Sequence, residues 1–327
     1  MTRVGVPTGL RILGQLLPDR TFGMLPVFYE TTVVAVDDDT QFLESLTYRF
    51  RNKINLKTFS SPTSALNYVM SNLESPVWSI LRNNRIHSDT SMDEPGLRVD
   101  LPDLMRLADV QARPQQVTVV VVDYAMPEMD GLEFFKKLSQ TPLKKILLTG
   151  KAGLDVAVTA FNSGLIDTFQ KKGDYDVGKK LIDDIHKLQF ECFHNASAVF
   201  RQLAKEEEYS FLMDAEFEKM FNIIREENKI VEYFFLASTS EFLLIDACQK
   251  RYRLLVRDEE TMRAQFETAS SASAPSDLLS LLEGRSLITD FPTDGGFYDP
   301  IFSGSWKKYV YPANKLGMSW QWTIIPV

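Results

Sequence analysis

Between residue 31 and about residue 188, short apolar runs alternate with amphipathic stretches. The runs at 32–36, 117–122 and 145–148 are nearly continuous, which predicts strands covered on both faces, and 56–59 and 168–170 read as two further strands of the same alternation. Between them, 41–53, 62–73, 132–139 and 154–162 carry apolar residues at helical spacing, and a further helix is expected from about residue 177. Five βα units in succession, joined by right-handed crossovers, predict an α/β fold with a five-stranded, doubly wound parallel sheet.

The alternation breaks once, at 75–116, where Pro76, Pro95, Pro102 and Pro114 surround a polar middle and one short helical stretch at 101–108. Forty-odd residues of weak pattern count as an insertion, because connections inside such domains usually run ~2 to 6 residues. It joins a helix back to a strand, so it enters at the amino edge of the sheet. Leu181, Ile185, Leu188, Cys192, Ala196, Phe200 and Leu203 then recur at three- and four-residue steps. This stripe predicts a last helix that runs on as a connector over 189–205, packed on its own sheet or pairing with a second copy. The remainder, 206–327, reads as a smaller α+β domain: helix at 214–227, a strand meander at 231–236, 241–246 and 252–256, and helix again at 258–268. The Ala/Ser-rich stretch 269–276 reads as a flexible linker, followed by a helix at 278–282 and a closing strand at 320–325. Residues 1–30 form an extension whose Val4, Val6, Leu10, Ile12, Leu13, Leu16 and Leu17 suit docking on a protein surface.

Composition narrows the class. The 327 residues are 44% hydrophobic and 24% charged, ordinary for a globular chain. No stretch of roughly 20 apolar residues could span a membrane, and we expect a cytoplasmic protein. Cys192 and Cys248 are too few for a disulfide framework, and with His87, His186 and His194 they show no zinc-ligand spacing. The net charge of −8 disfavours non-specific attraction to nucleic acid or anionic lipid and favours protein partners.

The chemistry lies at the strand ends. Asp37, Asp38 and Asp39 follow the first strand, Asp123 closes the third, and Thr149 closes the fourth. In a parallel sheet these carboxyl ends lie side by side, where ligands collect. Carboxylates gathered in a cleft repel one another unless a cation neutralises them. Oxygen ligands and a need for phosphate oxygens suit Mg2+, and an aspartate beside such an ion is a competent nucleophile toward a phosphoryl group. Thr149 would offer a hydroxyl and Lys171 or Lys172 a cation for the new phosphoryl oxygens.

Three elements in order, Val36-Asp37-Asp38-Asp39, Asp123-Tyr124-Ala125-Met126-Pro127-Glu128-Met129-Asp130-Gly131 and Leu147-Leu148-Thr149-Gly150, closely resemble the receiver domain of two-component response regulators. The resemblance covers 31–188 and implies a flavodoxin-like receiver fold. It also implies phosphorylation of Asp123 by a sensor histidine kinase or phosphotransfer protein, with Mg2+ held by Asp37, Asp38, Asp123 and the Ala125 carbonyl. Thr149 would contact the phosphoryl group and, with Phe169, form the switch. The family usually has Lys-Pro at the fifth strand, whereas this chain has Lys171-Lys172-Gly173. The spacing from Gly164 favours Lys171, while the aromatic three residues earlier favours Lys172, the preferred reading.

What the resemblance implies about output is open. Residues 206–327 hold 12 Lys and Arg against 20 Asp and Glu and match no output family. Arg251, Arg253, Arg257 and Arg263 offer a basic face for DNA, but their spacing fits a solvated strand face better. No cyclase, phosphodiesterase or nucleotide-loop signature is present. Asp290, Asp294 and Asp299 sit in a Gly- and Pro-rich stretch that reads as a turn rather than a metal site. A module that binds a protein or small ligand, in a homodimer, is the expectation, with a phosphorylation-regulated transcription factor and an enzymatic output as alternatives. Enzymatic activity beyond forming and hydrolysing the aspartyl phosphate is not expected.

Overall fold

The computed structural model describes residues 25–73, 113–150, 153–196, 207–236, 240–291, 293–294, 297–298, 306–317 and 320–327. Most of the N-terminal extension, nearly all of the 75–116 insertion with its expected short helix, the later part of the 189–205 connector, and Asp299 lie outside the described residues. The chain divides into two compact units, one ending at Phe200 and the other continuing from Arg201.

The first unit alternates β1 (Thr32–Val36), α1 (Thr40–Phe50), β2 (Asn55–Phe59), α2 (Pro62–Ser71), β3 (Val117–Asp123), α3 (Gly131–Lys137), β4 (Lys144–Thr149), α4 (Leu154–Asn162), β5 (Thr168–Lys171) and α5 (Val177–Ala196). The strands lie in the order β2-β1-β3-β4-β5, every neighbouring pair parallel. This is the doubly wound sheet expected from the apolar runs.

Alternation along each strand splits the core in two. Val34, Val36, Val120, Val122 and Leu147 face α2, α3 and α4, meeting Ala65, Val69, Phe134, Phe135, Ala157 and Ala160. Val33, Ala35, Val119, Val121, Ile146 and Leu148 face α1 and α5, meeting Leu43, Leu46, Phe50, Leu181, Ile185 and Leu188. The α5 stripe noted in the sequence is therefore taken up by the domain's own core as far as Cys192, whose burial pushes its thiol up to about 12. With both faces of the inner strands covered, their carboxyl ends are left as a polar opening in the sheet. At the amino edge, Val117 N–H donates to the Asn72 carbonyl at 2.9 Å, so the described flanks of the insertion meet there, at the pole opposite Asp123.

The second unit is α+β. Its principal sheet contains, in spatial order, β6 (Ile230–Leu236), β7 (Glu241–Asp246), β8 (Arg251–Arg257), β12 (Trp320–Pro326) and β11 (Asn314–Leu316), antiparallel throughout. Helix α6 (Ala215–Glu227) begins at the Asp214 cap; its Phe217 stacks on Phe242, and its Phe221 meets the same ring at a tilt. Helices α7 (Glu259–Ser271) and α8 (Ser276–Glu283) form a second core with Phe291 and Trp306. A short pair, β9 (Leu287–Thr289) and β10 (Val310–Pro312), lies beside it.

Two expectations fail here. The stretch 269–276 is not a flexible linker: α7 runs to Ser271, Ser273 takes a left-handed φ of 59°, and Ala269 and Ala274 are buried. The small side chains that suggested flexibility instead let α7 and α8 approach closely. Nor do the β8 arginines form a solvated face. Arg253 binds Glu241 at 2.6 Å and Asp290 at 2.7 Å, and buried Arg257 binds the other oxygen of Glu241 at 2.7 Å.

Candidate functional site

Asp37 follows β1 directly, Asp123 is the last residue of β3, and Thr149 is the last of β4. The parallel register places them together: Val36 pairs with Val122, and Asp123 with Leu148. Asp37, Asp123 and Thr149 are 1%, 4% and 0% exposed, whereas Asp38 faces solvent. One carboxylate oxygen from each of Asp37, Asp38 and Asp123 lies within 4.8 Å of the others. An all-oxygen donor set from three carboxylates, two of them buried, fits a hard divalent cation.

The acidic run divides its labour. The Asp39 side chain accepts from the N–H groups of Gln41 and Phe42 and caps α1, so it stays out of the cluster. Asp37 accepts from Asp39 N–H at 3.0 Å, and Asp123 accepts from Ala125 N–H at 3.1 Å. These bonds fix the carboxylates before any ligand arrives.

Lys172 joins them. Its Nζ lies 2.7 Å from Asp37 Oδ2 and 2.8 Å from Asp123 Oδ1, and 5.1 Å from the centre of the Phe42 ring. Lys171 pairs with Thr149 as the last residue of β5, and the chain then turns so that Lys172 N–H donates to the Thr149 carbonyl at 3.0 Å. Of the two lysines left open by the sequence, Lys172 is the one in contact with the acidic cluster. Burial, the largest influence, and the nearby Asp123 charge raise the Asp37 pKa above the usual carboxylate value, against the pull of Lys172 and the Asp39 amide. Lys172 is itself desolvated, yet its two carboxylate partners raise its pKa and keep it charged.

Thr149 Oγ1 donates to the Gly150 carbonyl at 3.0 Å. A Cβ at Gly153 would stand 2.3 Å from that hydroxyl oxygen and 3.0 Å from the Tyr124 ring, so a glycine is required to leave the hydroxyl room. Phe169 pairs with Leu147 on β5 and meets Phe161 of α4 edge to face at 6.4 Å. One contributor went unread in the sequence: Glu128 accepts from the hydroxyls of Ser61 and Thr63, both at 3.2 Å, tying the loop after Asp123 to the start of α2. Nothing in a lone exposed glutamate signals that pairing. Asp130, in the same loop, caps α3 through Glu133 N–H at 2.7 Å.

Comparison with known proteins agrees with this geometry. Residues 84–183 match the response regulator receiver domain family. The first unit is a response regulator receiver domain. The acidic pair, Asp37 and Asp38, lies upstream of the matched segment, which begins within the insertion. A transcriptional regulatory protein, FixJ of Bradyrhizobium diazoefficiens, is 24% identical over 173 residues, 52% of this chain and 75% of that protein. FlgR of Helicobacter pylori, also a transcriptional regulatory protein, is 33% identical over 98 residues, 29% of this chain and only 24% of its own length. The structure of the Legionella pneumophila response regulator LqsR superposes with a TM-score of 0.66 at 27% identity, covering 94% of this chain and 90% of that one. The likeness to LqsR thus extends beyond the receiver into the second unit. No helix among the described residues is long and apolar enough to cross a membrane.

Proposed function

We propose that this receiver accepts a phosphoryl group on Asp123 from a phosphohistidine of a sensor kinase or phosphotransfer protein in the cytoplasm. The observation that carries the reading is the convergence of Asp37, Asp38 and Asp123 with Lys172 bridging two of them. An oxygen of the Asp123 carboxylate attacks phosphorus, the O–P bond forms as the P–N bond breaks, and the electron pair leaves on the imidazole nitrogen. Asp37, Asp38, Asp123 and the Ala125 carbonyl would hold Mg2+, which supplies charge neutralisation for the transferring oxygens. Lys172 stays positioned to bind a phosphoryl oxygen, and the Thr149 hydroxyl exchanges its Gly150 partner for another. Water later attacks phosphorus at the same site, the bond from phosphorus to the Asp123 oxygen breaks, and inorganic phosphate leaves as the carboxylate is restored. We assign the chain no enzymatic activity beyond this cycle.

The signal passes outward through Thr149 and Phe169. As Thr149 turns to the phosphoryl group, Phe169 rotates inward and changes its contact with Phe161. Leu154, Val158 and Phe161 lie exposed at helical spacing along α4, an apolar stripe suited to a homodimer interface. For the second unit we favour a module that binds a protein or small ligand. Likeness to the transcriptional regulatory proteins FixJ and FlgR keeps a DNA-binding transcription factor as the second reading, but two of the three β8 arginines, Arg253 and Arg257, are bound to carboxylates within the unit, and Arg251 is also engaged.

Mass spectrometry after incubation with Mg2+ and acetyl phosphate tests the acceptor. Phosphorylation of the wild type that disappears in Asp123→Ala is expected, and undiminished labelling of the variant would overturn the assignment. Retention of DNA only in the presence of beryllofluoride would promote the second reading for the output unit.

A further inference from the structure

A second cleft lies on the α1/α5 side of the receiver, lined by the end of α1 and the beginning of α5. It encloses about 790 Å3 and is bordered by Tyr48, Arg49, Arg51, Lys53, Lys179 and His186, among others. That volume falls in the range of small-molecule sites, roughly 300–1,000 Å3.

Its charge is lopsided. Arg49, Arg51, Lys53 and Lys179 face it against a single carboxylate, Asp183, and none of the four cations forms an ion pair among the described residues. The acidic residues before α5, Asp174 and Asp176, are instead paired with Lys180 at 2.9 and 3.1 Å. The carboxyl end of α1 attracts some positive charge, but a helix terminus carries only about half a unit, and Arg49 in the last turn already answers it. Three more cations have no structural debt to settle. Gly178 makes the arrangement possible, because a Cβ there would lie 3.0 Å from Arg49 Cδ and Nη1.

His186 lies beneath these cations. It is 5% exposed, its Nε2 lies 3.5 Å from the Lys53 carbonyl, and its Nδ1 has no partner. A carbonyl can only accept, so Nε2 carries the hydrogen; burial, then the Lys53 charge, hold the ring below the usual imidazole pKa and leave Nδ1 a bare acceptor. That nitrogen is sealed from solvent, so the ring forms part of the cleft's floor and makes no contact with a ligand. Tyr48, 80% exposed at the rim, offers a flat face for a ring.

We propose that this cleft binds a nucleotide, with its phosphates on Arg49, Arg51, Lys53 and Lys179 and its base against Tyr48. The site uses none of Asp37, Asp123 or Thr149, so it would make the receiver answer to a small molecule independently of phosphorylation.

The test is calorimetric titration of the full chain in EDTA with ATP, GTP and inorganic pyrophosphate. Saturable nucleotide binding is expected, weakened about tenfold or more in Arg51→Gln/Lys179→Gln by loss of charge-assisted hydrogen bonds. Tyr48→Ala should weaken ATP or GTP but leave pyrophosphate unchanged, and Asp123→Asn should bind as the wild type does. Both Arg51 and Lys179 are exposed, so the double variant should fold. Absence of binding by both nucleotides, or binding indifferent to Arg51→Gln/Lys179→Gln, would overturn the proposal. Pyrophosphate binding as tight as ATP would reject the nucleotide in favour of a bare anion site, and capture of a polyglutamate peptide in preference to ATP would assign the cleft to an acidic protein partner.

Discussion

Lys172 holds apart two buried carboxylates that would otherwise face each other, so the site's stability and its chemistry depend on one side chain. Replacing it by methionine leaves Asp37 and Asp123 uncompensated; with the lysine about one-quarter exposed, we expect a loss on the order of 1–3 kcal/mol in EDTA at neutral pH, below the full cost of breaking a buried pair. Added Mg2+ should restore much of it, and urea denaturation with and without the ion would show this. Asp37 gives a second check, with the sign set by its raised pKa. A carboxyl whose folded pKa lies above its unfolded value stabilises the fold below the unfolded value, near 3.8, and that contribution is lost as pH rises through the folded pKa. Asp37→Asn should therefore gain stability over wild type at pH 7 in EDTA, a gain that shrinks as pH falls toward 4. Denaturation midpoints that separate further on acidification would contradict this account of the burial.

The helices and strands were largely legible in the sequence, because both periodicities were clean where the sheet is covered on both faces. Helix α4 and strand β7 begin and end where the pattern put them, and β1 likewise. What was not legible depended on partners distant in sequence. The β8 arginines read as a solvated face because nothing local reveals Glu241 on the adjoining strand, a pairing set by the register of Glu241 with Leu255. The α7–α8 corner read as a linker because alanine and serine serve both flexibility and close packing. At the site, the acidic residues were visible as strand ends, and the lysine register was not, since it turns on whether β5 ends at residue 171 or runs on. Asp130 shows how an element-level role can hide in a functional motif: it caps α3, and Asp130→Ala should cost about 1 kcal/mol of stability. Gly153→Ala tests the other half of this scale. Its Cβ would collide with the Thr149 hydroxyl, so we expect the rate of phosphorylation by acetyl phosphate to fall, with a stability loss of roughly 1–3 kcal/mol from overpacking. Unchanged labelling kinetics would show that Thr149 has more freedom than the geometry allows.

For the whole molecule, the question is what the receiver's change of state alters. Moving a two-state equilibrium from mostly off to mostly on takes roughly 5 kcal/mol of differential stabilisation, within reach of a new phosphoryl group held by Lys172, Thr149 and a divalent ion. The energy must be delivered to a surface that differs between the two arrangements. The α4 stripe is placed to be that surface: Phe161 touches Phe169, Phe169 lies on the strand beside Thr149, and Leu154 and Val158 continue the same exposed side. If phosphorylation remodels this stripe into a dimer interface, Mg2+ with beryllofluoride should raise the sedimentation coefficient of the full chain in a concentration-dependent way. Val158→Glu should abolish the shift while costing little stability, because the side chain is already exposed and substitutions at such positions usually change stability by about 0.5 kcal/mol or less. A charge placed in an apolar interface is repelled by its own symmetry mate, so the effect on association should far exceed the effect on folding. Association that survives Val158→Glu would move the interface off α4, and association already complete without beryllofluoride would uncouple dimer formation from the acceptor aspartate.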